Sequence, residues 1–102
     1  MNSTDLLFRI GSTMITQSIT IINKLGLHAR AAAKFVTLAS KFNSEVHLER
    51  GTRSVNGKSI MAVMLLAASK GTDLKIVTCG DDEQQAIDAL ITLINNRFDE
   101  AE

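Results

Sequence analysis

Ile21-Ile22-Asn23-Lys24-Leu25-Gly26-Leu27-His28-Ala29-Arg30-Ala31-Ala32-Ala33-Lys34-Phe35-Val36 passes from one kind of periodicity to another within sixteen residues. Just upstream, Ile15, Ile19 and Ile21 alternate with polar Thr16, Ser18 and Thr20, the two-residue period of a half-buried strand running from Ile15 to Asn23. Asn23-Lys24-Leu25-Gly26 then reads as a loop, and Gly26 allows the backbone to turn sharply. Beyond it Ala32, Phe35, Val36 and Ala39 fall at i, i+3, i+4 and i+7, the apolar stripe of a helix from about Ala29 to Lys41. A strand feeding a helix through a short loop is therefore the first unit of the fold.

The rest of the chain continues in the same manner. Glu45-Val46-His47-Leu48-Glu49 alternates with Val46 and Leu48 inward and His47 outward, and Gly51-Thr52 reads as a hairpin turn into a strand around Arg53 to Asn56. Ser59 fits the N-cap of a short helix from Ile60 to Ser69, with Ile60, Val63 and Ala67 as its buried stripe and Gly71 as its left-handed stop. Leu74 to Cys79 is a further strand with Leu74 and Ile76 inward. Asp82 and Gln85 have the spacing of a capping box at the start of a last helix, whose buried face is Ile87, Leu90, Ile91 and Ile94. The order β-α-β-β-α-β-α predicts an α+β fold: a four-stranded, mainly antiparallel sheet with three helices on one face. Residues 14–102 form that domain, and residues 1–13 are expected to be a poorly ordered extension.

Composition narrows the function classes. Eleven basic and eleven acidic residues leave a formal net charge of zero, so neither nucleic acid nor an anionic membrane exerts a general attraction. The four aromatics are all Phe, and none lies in an expected strand, which argues against an RNA-binding sheet that stacks bases on exposed rings. Apolar runs such as Ile60 to Ala68 are far shorter than a membrane span. One cysteine, Cys79, suits a reducing compartment, and no secretory signal is apparent, so a cytoplasmic location is expected. His28, His47 and Cys79 lie on separate elements at no metal-ligand spacing, and no metal site is expected. Gly57-Lys58-Ser59 invites a P-loop reading, but that motif needs a glycine at Thr52, and Gly51 is one position too early.

The chemistry concentrates at His28. No Ser, Thr, Asp or Asn stands just before Ala29 to cap the helix, so its first amides remain available, and such a helix start attracts anions. His28 supplies a nucleophilic ring nitrogen there, and Arg30 a guanidinium fork suited to phosphate oxygens.

The run Ile21-Ile22-Asn23-Lys24-Leu25-Gly26-Leu27-His28-Ala29-Arg30 resembles the active-site signature of the HPr family, the histidine-containing phosphocarriers of the bacterial phosphoenolpyruvate-dependent phosphotransferase system. Asn56-Gly57-Lys58-Ser59-Ile60-Met61-Ala62-Val63-Met64 is similar to the serine-centred segment of the same family. The Lys70-Gly71-Thr72 turn and Gly80-Asp81-Asp82-Glu83 also fit, so the resemblance runs from Met14 to the C-terminus. It implies an open-faced β-sandwich and a carrier that is no enzyme and binds no cofactor. His28 matches the histidine phosphorylated on Nδ1 (pros-phosphohistidine), and Arg30 the arginine that assists transfer. The implied partners are an enzyme I-type donor, which itself uses phosphoenolpyruvate and magnesium, and an enzyme IIA-type acceptor, with the carrier a monomer. Ala29, Ala33, Met61, Met64 and Leu65 form the implied docking patch, and flexible methionines suit a surface that meets several partners. Ser59 matches the serine that a dedicated HPr kinase phosphorylates in some members. The tail Asn95-Asn96-Arg97-Phe98-Asp99-Glu100 looks like the nitrogen-related branch, often called NPr. One departure is Ala31, where many members carry Pro after the arginine. The rival reading, a regulatory module that binds partners without passing phosphate, has no need of both His28 and Arg30.

Overall fold

The computed structural model describes residues 14–102; the expected extension, 1–13, lies outside the described residues. Four strands, β1 (Met14–Thr20), β2 (Glu45–Arg50), β3 (Arg53–Asn56) and β4 (Asp73–Cys79), form one sheet in the order β1-β4-β2-β3, every pairing antiparallel. Three helices, α1 (Ala29–Ala39), α2 (Ile60–Leu65) and α3 (Glu83–Asn95), complete the β-α-β-β-α-β-α order. A short helical turn, Arg97–Asp99, follows α3.

The sheet is held by its third-from-last element in sequence. β4 lies between β1 and β2, matching Ile19 to Leu74 and Ile15 to Thr78 on one side, and Leu48 to Ile76 on the other. Leu74, Ile76, Thr78, Val46 and Leu48 are buried on the face the helices cover. Onto them α1 lays Ala32, Phe35, Val36 and Ala39, and α3 lays Ala86, Ile87, Leu90 and Ile94. Each buried aliphatic side chain of this size contributes roughly 1.5–3 kcal/mol, so this face supplies most of the driving force. The aromatics at 0% exposure are Phe35 and Phe98, one from α1 and one from the turn after α3.

Three local expectations are corrected. The helix after Ser59 stops at Leu65, and Ala67, with φ of 52°, takes the left-handed stop assigned to Gly71. Arg50 explains the early end: its guanidinium donates to the carbonyls of Leu66 and Ala67 at 2.8 and 3.0 Å, satisfying groups that a longer helix would have used. The buried residues there are accordingly Val63 and Leu66, while Ile60 and Ala67 are exposed.

The last helix is also capped differently. Asp82 makes no cap bond; its carboxylate accepts from the Asn43 amide at 2.8 Å and from the Ser44 amide and hydroxyl at 2.9 and 2.5 Å. Glu83 turns back instead, accepting from the Gly80 amide at 3.0 Å. Asp82 thus ties the α1–β2 loop to the start of α3. The Ser44 hydroxyl, followed by the Asn43 amide, holds its carboxyl below the ordinary value of 3.8, against a smaller opposing effect of burial.

A carboxyl depressed in the folded state stabilises fully above its unfolded value, and the gain disappears as pH falls through the folded value. Asp82→Ala should therefore lower Tm at pH 7, and the gap to the parent should close as the pH falls through 3.8 and below. Thermal melts across that range check this; a gap that persists undiminished in acid contradicts it.

Candidate functional site

The loop after β1, the first turns of α1 and the end of the chain line one surface hollow. Gly26 sets the loop there. Its φ is +67°, and a Cβ added to it would lie 2.5 Å from the Ala68 carbonyl oxygen and 2.8 Å from Ser69 Cα. The neighbouring Leu27 amide donates to that same Ala68 oxygen at 2.8 Å. Only glycine satisfies both the left-handed backbone and the close approach. The loop is thereby pressed onto the segment leaving α2, and His28 emerges as the N-cap of α1.

His28 caps the helix in position only. Its side chain bonds none of the first amides, and the first amide to bond inward is that of Ala32, to the His28 carbonyl at 2.8 Å. The amides of Ala29, Arg30 and Ala31 donate to no described residue. Arg30 is exposed and forms no hydrogen bond or ion pair among the described residues. It lines the same surface hollow as His28, Ala29, Leu25 and Lys34. His28, Ala29 and Arg30 thus line one hollow.

What the sequence did not suggest is the far wall of that hollow. Arg97, Phe98 and Asp99 have φ of 58°, 53° and 63°, a left-handed run in residues that carry side chains. Each such residue costs on the order of 1–2 kcal/mol. Complete burial of the Phe98 ring offsets the strain, and the Lys34 ammonium donates to the Phe98 carbonyl at 2.9 Å. The chain so turned delivers Glu100 to His28: Nε2 and Glu100 Oε2 lie 2.5 Å apart. The other Glu100 oxygen accepts from the Asn23 side-chain amide at 3.0 Å, and the same nitrogen donates to the Gly26 carbonyl at 2.9 Å. Beyond it the Lys24 amide donates to the Glu102 carbonyl.

Partial burial pushes the Glu100 carboxyl up, but the hydrogen bonds from Asn23 and His28 and the electrostatic pull of His28 and Arg30 outweigh it. The group is held below its ordinary value of 4.5, and it is a carboxylate at neutral pH.

The chain from 15 to 96 matches the family model described as "PTS HPr component phosphorylation site". The chain belongs to the HPr phosphocarrier family. It is 62% identical over 85 residues to the phosphocarrier protein HPr of Pseudomonas aeruginosa, an alignment spanning 82% of this chain and 94% of that protein. The crystal structure of HPr-C-His from Thermoanaerobacter tengcongensis superposes with a TM-score of 0.83 at 48% identity, covering 86% of this chain and 99% of that one. A second structure from that organism, described as an HPr dimer, superposes with a TM-score of 0.69 at 51% identity, covering 80% and 94%. The HPr family acts in the phosphotransferase system as carriers rather than catalysts, and the open-faced sandwich is the shared fold.

The remaining sites expected in this HPr chain divide. Ala29 lines the hollow beside His28; Ala33, Met61, Met64 and Leu65 do not line it. Met61, Met64 and Leu65 are nonetheless exposed on α2, which packs against α1, and Met61 retains 74% of its accessible surface. Ser59 Oγ accepts from the Ala62 amide at 3.2 Å, the bond of a working N-cap. Lys58, the P-loop suspect, is spent on the Phe42 carbonyl at 2.7 Å. His47 is half-buried on β2 beside Glu45, 3.5 Å away, and Cys79 ends β4. Among the described residues no three His, Cys, Asp or Glu side chains gather as a metal site, and no helix is long and apolar enough to cross a membrane.

Glu100 and Asn23 are the residues the sequence reading missed. The available signal was Phe98, an aromatic beyond the last helical stripe, flanked by charges. Phe98→Ala should lower the unfolding free energy by about 3–5 kcal/mol, as for truncation of a buried ring. It should also shift the His28 ring resonances as Glu100 departs. Urea titration and NMR spectra check this; a loss below about 1 kcal/mol contradicts the anchoring role.

Proposed function

We propose that this chain carries a phosphoryl group on Nδ1 of His28, received from an enzyme I-type phosphohistidine and passed to a histidine of an enzyme IIA-type protein. The observation that carries the reading is the uncapped start of α1, with His28 at the cap and Arg30 free in the same hollow. A phosphoryl group on the ring brings its oxygens to the amides of Ala29, Arg30 and Ala31, unpaired among the described residues, where peptide dipoles favour negative charge. Arg30 can turn its fork onto the same oxygens, which stabilises charge during transfer without gripping the product too firmly to release. Ala31 contributes here where proline could not, because proline has no amide proton. The carrier itself needs no metal or cofactor in this scheme.

Docking falls to the exposed apolar residues of α2, Met61, Met64 and Leu65, with Ala29 and Ala33 on α1. Ser59 lies at the start of that surface. Phosphorylation there by an HPr kinase would replace a capping hydroxyl with a dianion beside the patch and so weaken or redirect docking. The tail sequence Asn95 to Glu100 supports the nitrogen-related branch as the system served, and we place the carrier in the cytoplasm as a monomer.

Incubation with enzyme I, phosphoenolpyruvate and magnesium, followed by intact mass, tests this reading. The parent should gain one acid-labile phosphoryl group, His28→Ala none, and Arg30→Ala the same group at least tenfold more slowly, the scale of one lost charge-assisted hydrogen bond. Equal labelling of His28→Ala and the parent would falsify the assignment.

A further inference from the structure

Methionine is ordinarily a buried residue that fills irregular gaps in a core. No methionine among the described residues does so. Met14, Met61 and Met64 keep 64%, 74% and 40% of their accessible surface, while Ile, Leu, Val, Ala and Phe close the core. Met61 and Met64 both stand on α2, whose residues Ile60–Leu65 are all apolar and of which Val63 alone is buried. With Leu65 they fall at i, i+3 and i+4, so they share one helix face. α2 packs against α1, and the segment that leaves it accepts from the Leu27 amide, next to His28, at 2.8 Å. A thioether here is apolar enough for a partner to bury and exposed enough to meet a small oxidant.

We propose that Met61 and Met64 form a paired oxidation site: a peroxide converts their thioethers to sulfoxides, which uncouples this chain from its phosphoryl donor, and reduction of the sulfoxides restores docking. This rests on the carrier reading above, with α2 as the surface that meets an enzyme I-type protein. In the oxidation a sulfur lone pair attacks one peroxide oxygen. The S–O bond forms as the O–O bond breaks, and the second oxygen leaves with the protons as water or an alcohol. Sulfur gives up two electrons and the peroxide takes them. The product places a strong dipole and a new hydrogen-bond acceptor in the middle of an apolar face. On the free protein the added oxygen stays in water, so the fold is kept. In the docked state it must leave water without a partner, which weakens binding about 5- to 100-fold for each sulfoxide buried. Leu65 offers the same partner an apolar contact without this chemistry, so the thioethers add a sensitivity that packing does not require.

The test uses the full chain treated with dilute hydrogen peroxide. Peptide mapping by mass should find one added oxygen on each of Met61 and Met64, formed at rates close to that of free methionine, with the thermal melt unchanged. Phosphorylation by phospho-enzyme I should then show KM raised about 5- to 100-fold and kcat little changed. Methionine sulfoxide reductases A and B, supplied together with a thiol, should restore KM, because each sulfoxide epimer needs its own enzyme. The thiol alone, which reverses mild oxidation of Cys79, should not. Met14→Leu should respond to peroxide as the parent does. The double variant Met61→Leu, Met64→Leu, judged against its own untreated KM, should not respond. A doubly oxidised parent with an unchanged KM overturns the proposal, as do methionines on α2 that resist peroxide or a double variant that loses as much as the parent. A parent that takes no phosphoryl group before treatment overturns the carrier reading, and the proposal with it.

Discussion

Burial of the Phe98 ring is the constraint on which the site depends. It is the last large apolar side chain in the sequence, it lies beyond the regular part of α3, and it reaches the core only by way of a left-handed backbone. That turn carries the chain across the start of α1. Lys34 on α1 then grips the Phe98 carbonyl and sits 3.8 Å from the Asp99 carboxylate, and Glu100 meets His28 one residue on. The ion pair of Lys34 with Asp99 is half-exposed and contributes little alone, so the ring and the carbonyl bond hold the strap. Packing seventy residues away in sequence thus determines what lies against the histidine.

The opposite wall is built by a close backbone approach. Gly26 lies against Ala68 and Ser69, which fixes the loop ahead of His28 to the segment that leaves α2. That segment is positioned by Arg50, whose guanidinium ends the helix early. The histidine therefore stands between the Gly26 loop and the Glu100 carboxylate, while Arg30 makes no hydrogen bond or ion pair among the described residues. A held ring beside an exposed guanidinium supports the proposed carrier role, in which the guanidinium follows the phosphate oxygens without disturbing the ring.

Much of this was legible in the sequence where a single period governed. Alternation at Val46 and Leu48, the helical stripe through Phe35 and Val36, and the absence of a cap before Ala29 all reappear in the structure. Legibility failed where side chains bond across the fold. Asp82 has the spacing of a cap but is drawn away by the Asn43 and Ser44 amides, and Gly71 has the character of a helix stop but Arg50 makes Ala67 the stop. Glu100 carries no local signal, since nothing near it in sequence indicates that the chain will reverse at Phe98. The uncapped helix start at His28 was readable because it is local; the carboxylate that meets the ring is not.

The central claim is the proposed carrier role of His28, whose Nε2 meets the Glu100 carboxylate and whose Nδ1 is left for the phosphoryl group. Nitrogen–phosphorus coupling in the nitrogen-15-labelled phosphoprotein reads this directly. The account predicts coupling to Nδ1, with a proton retained on Nε2 facing Glu100. Phosphorus coupled to Nε2 would contradict it, because that nitrogen could then not be the one the carboxylate holds.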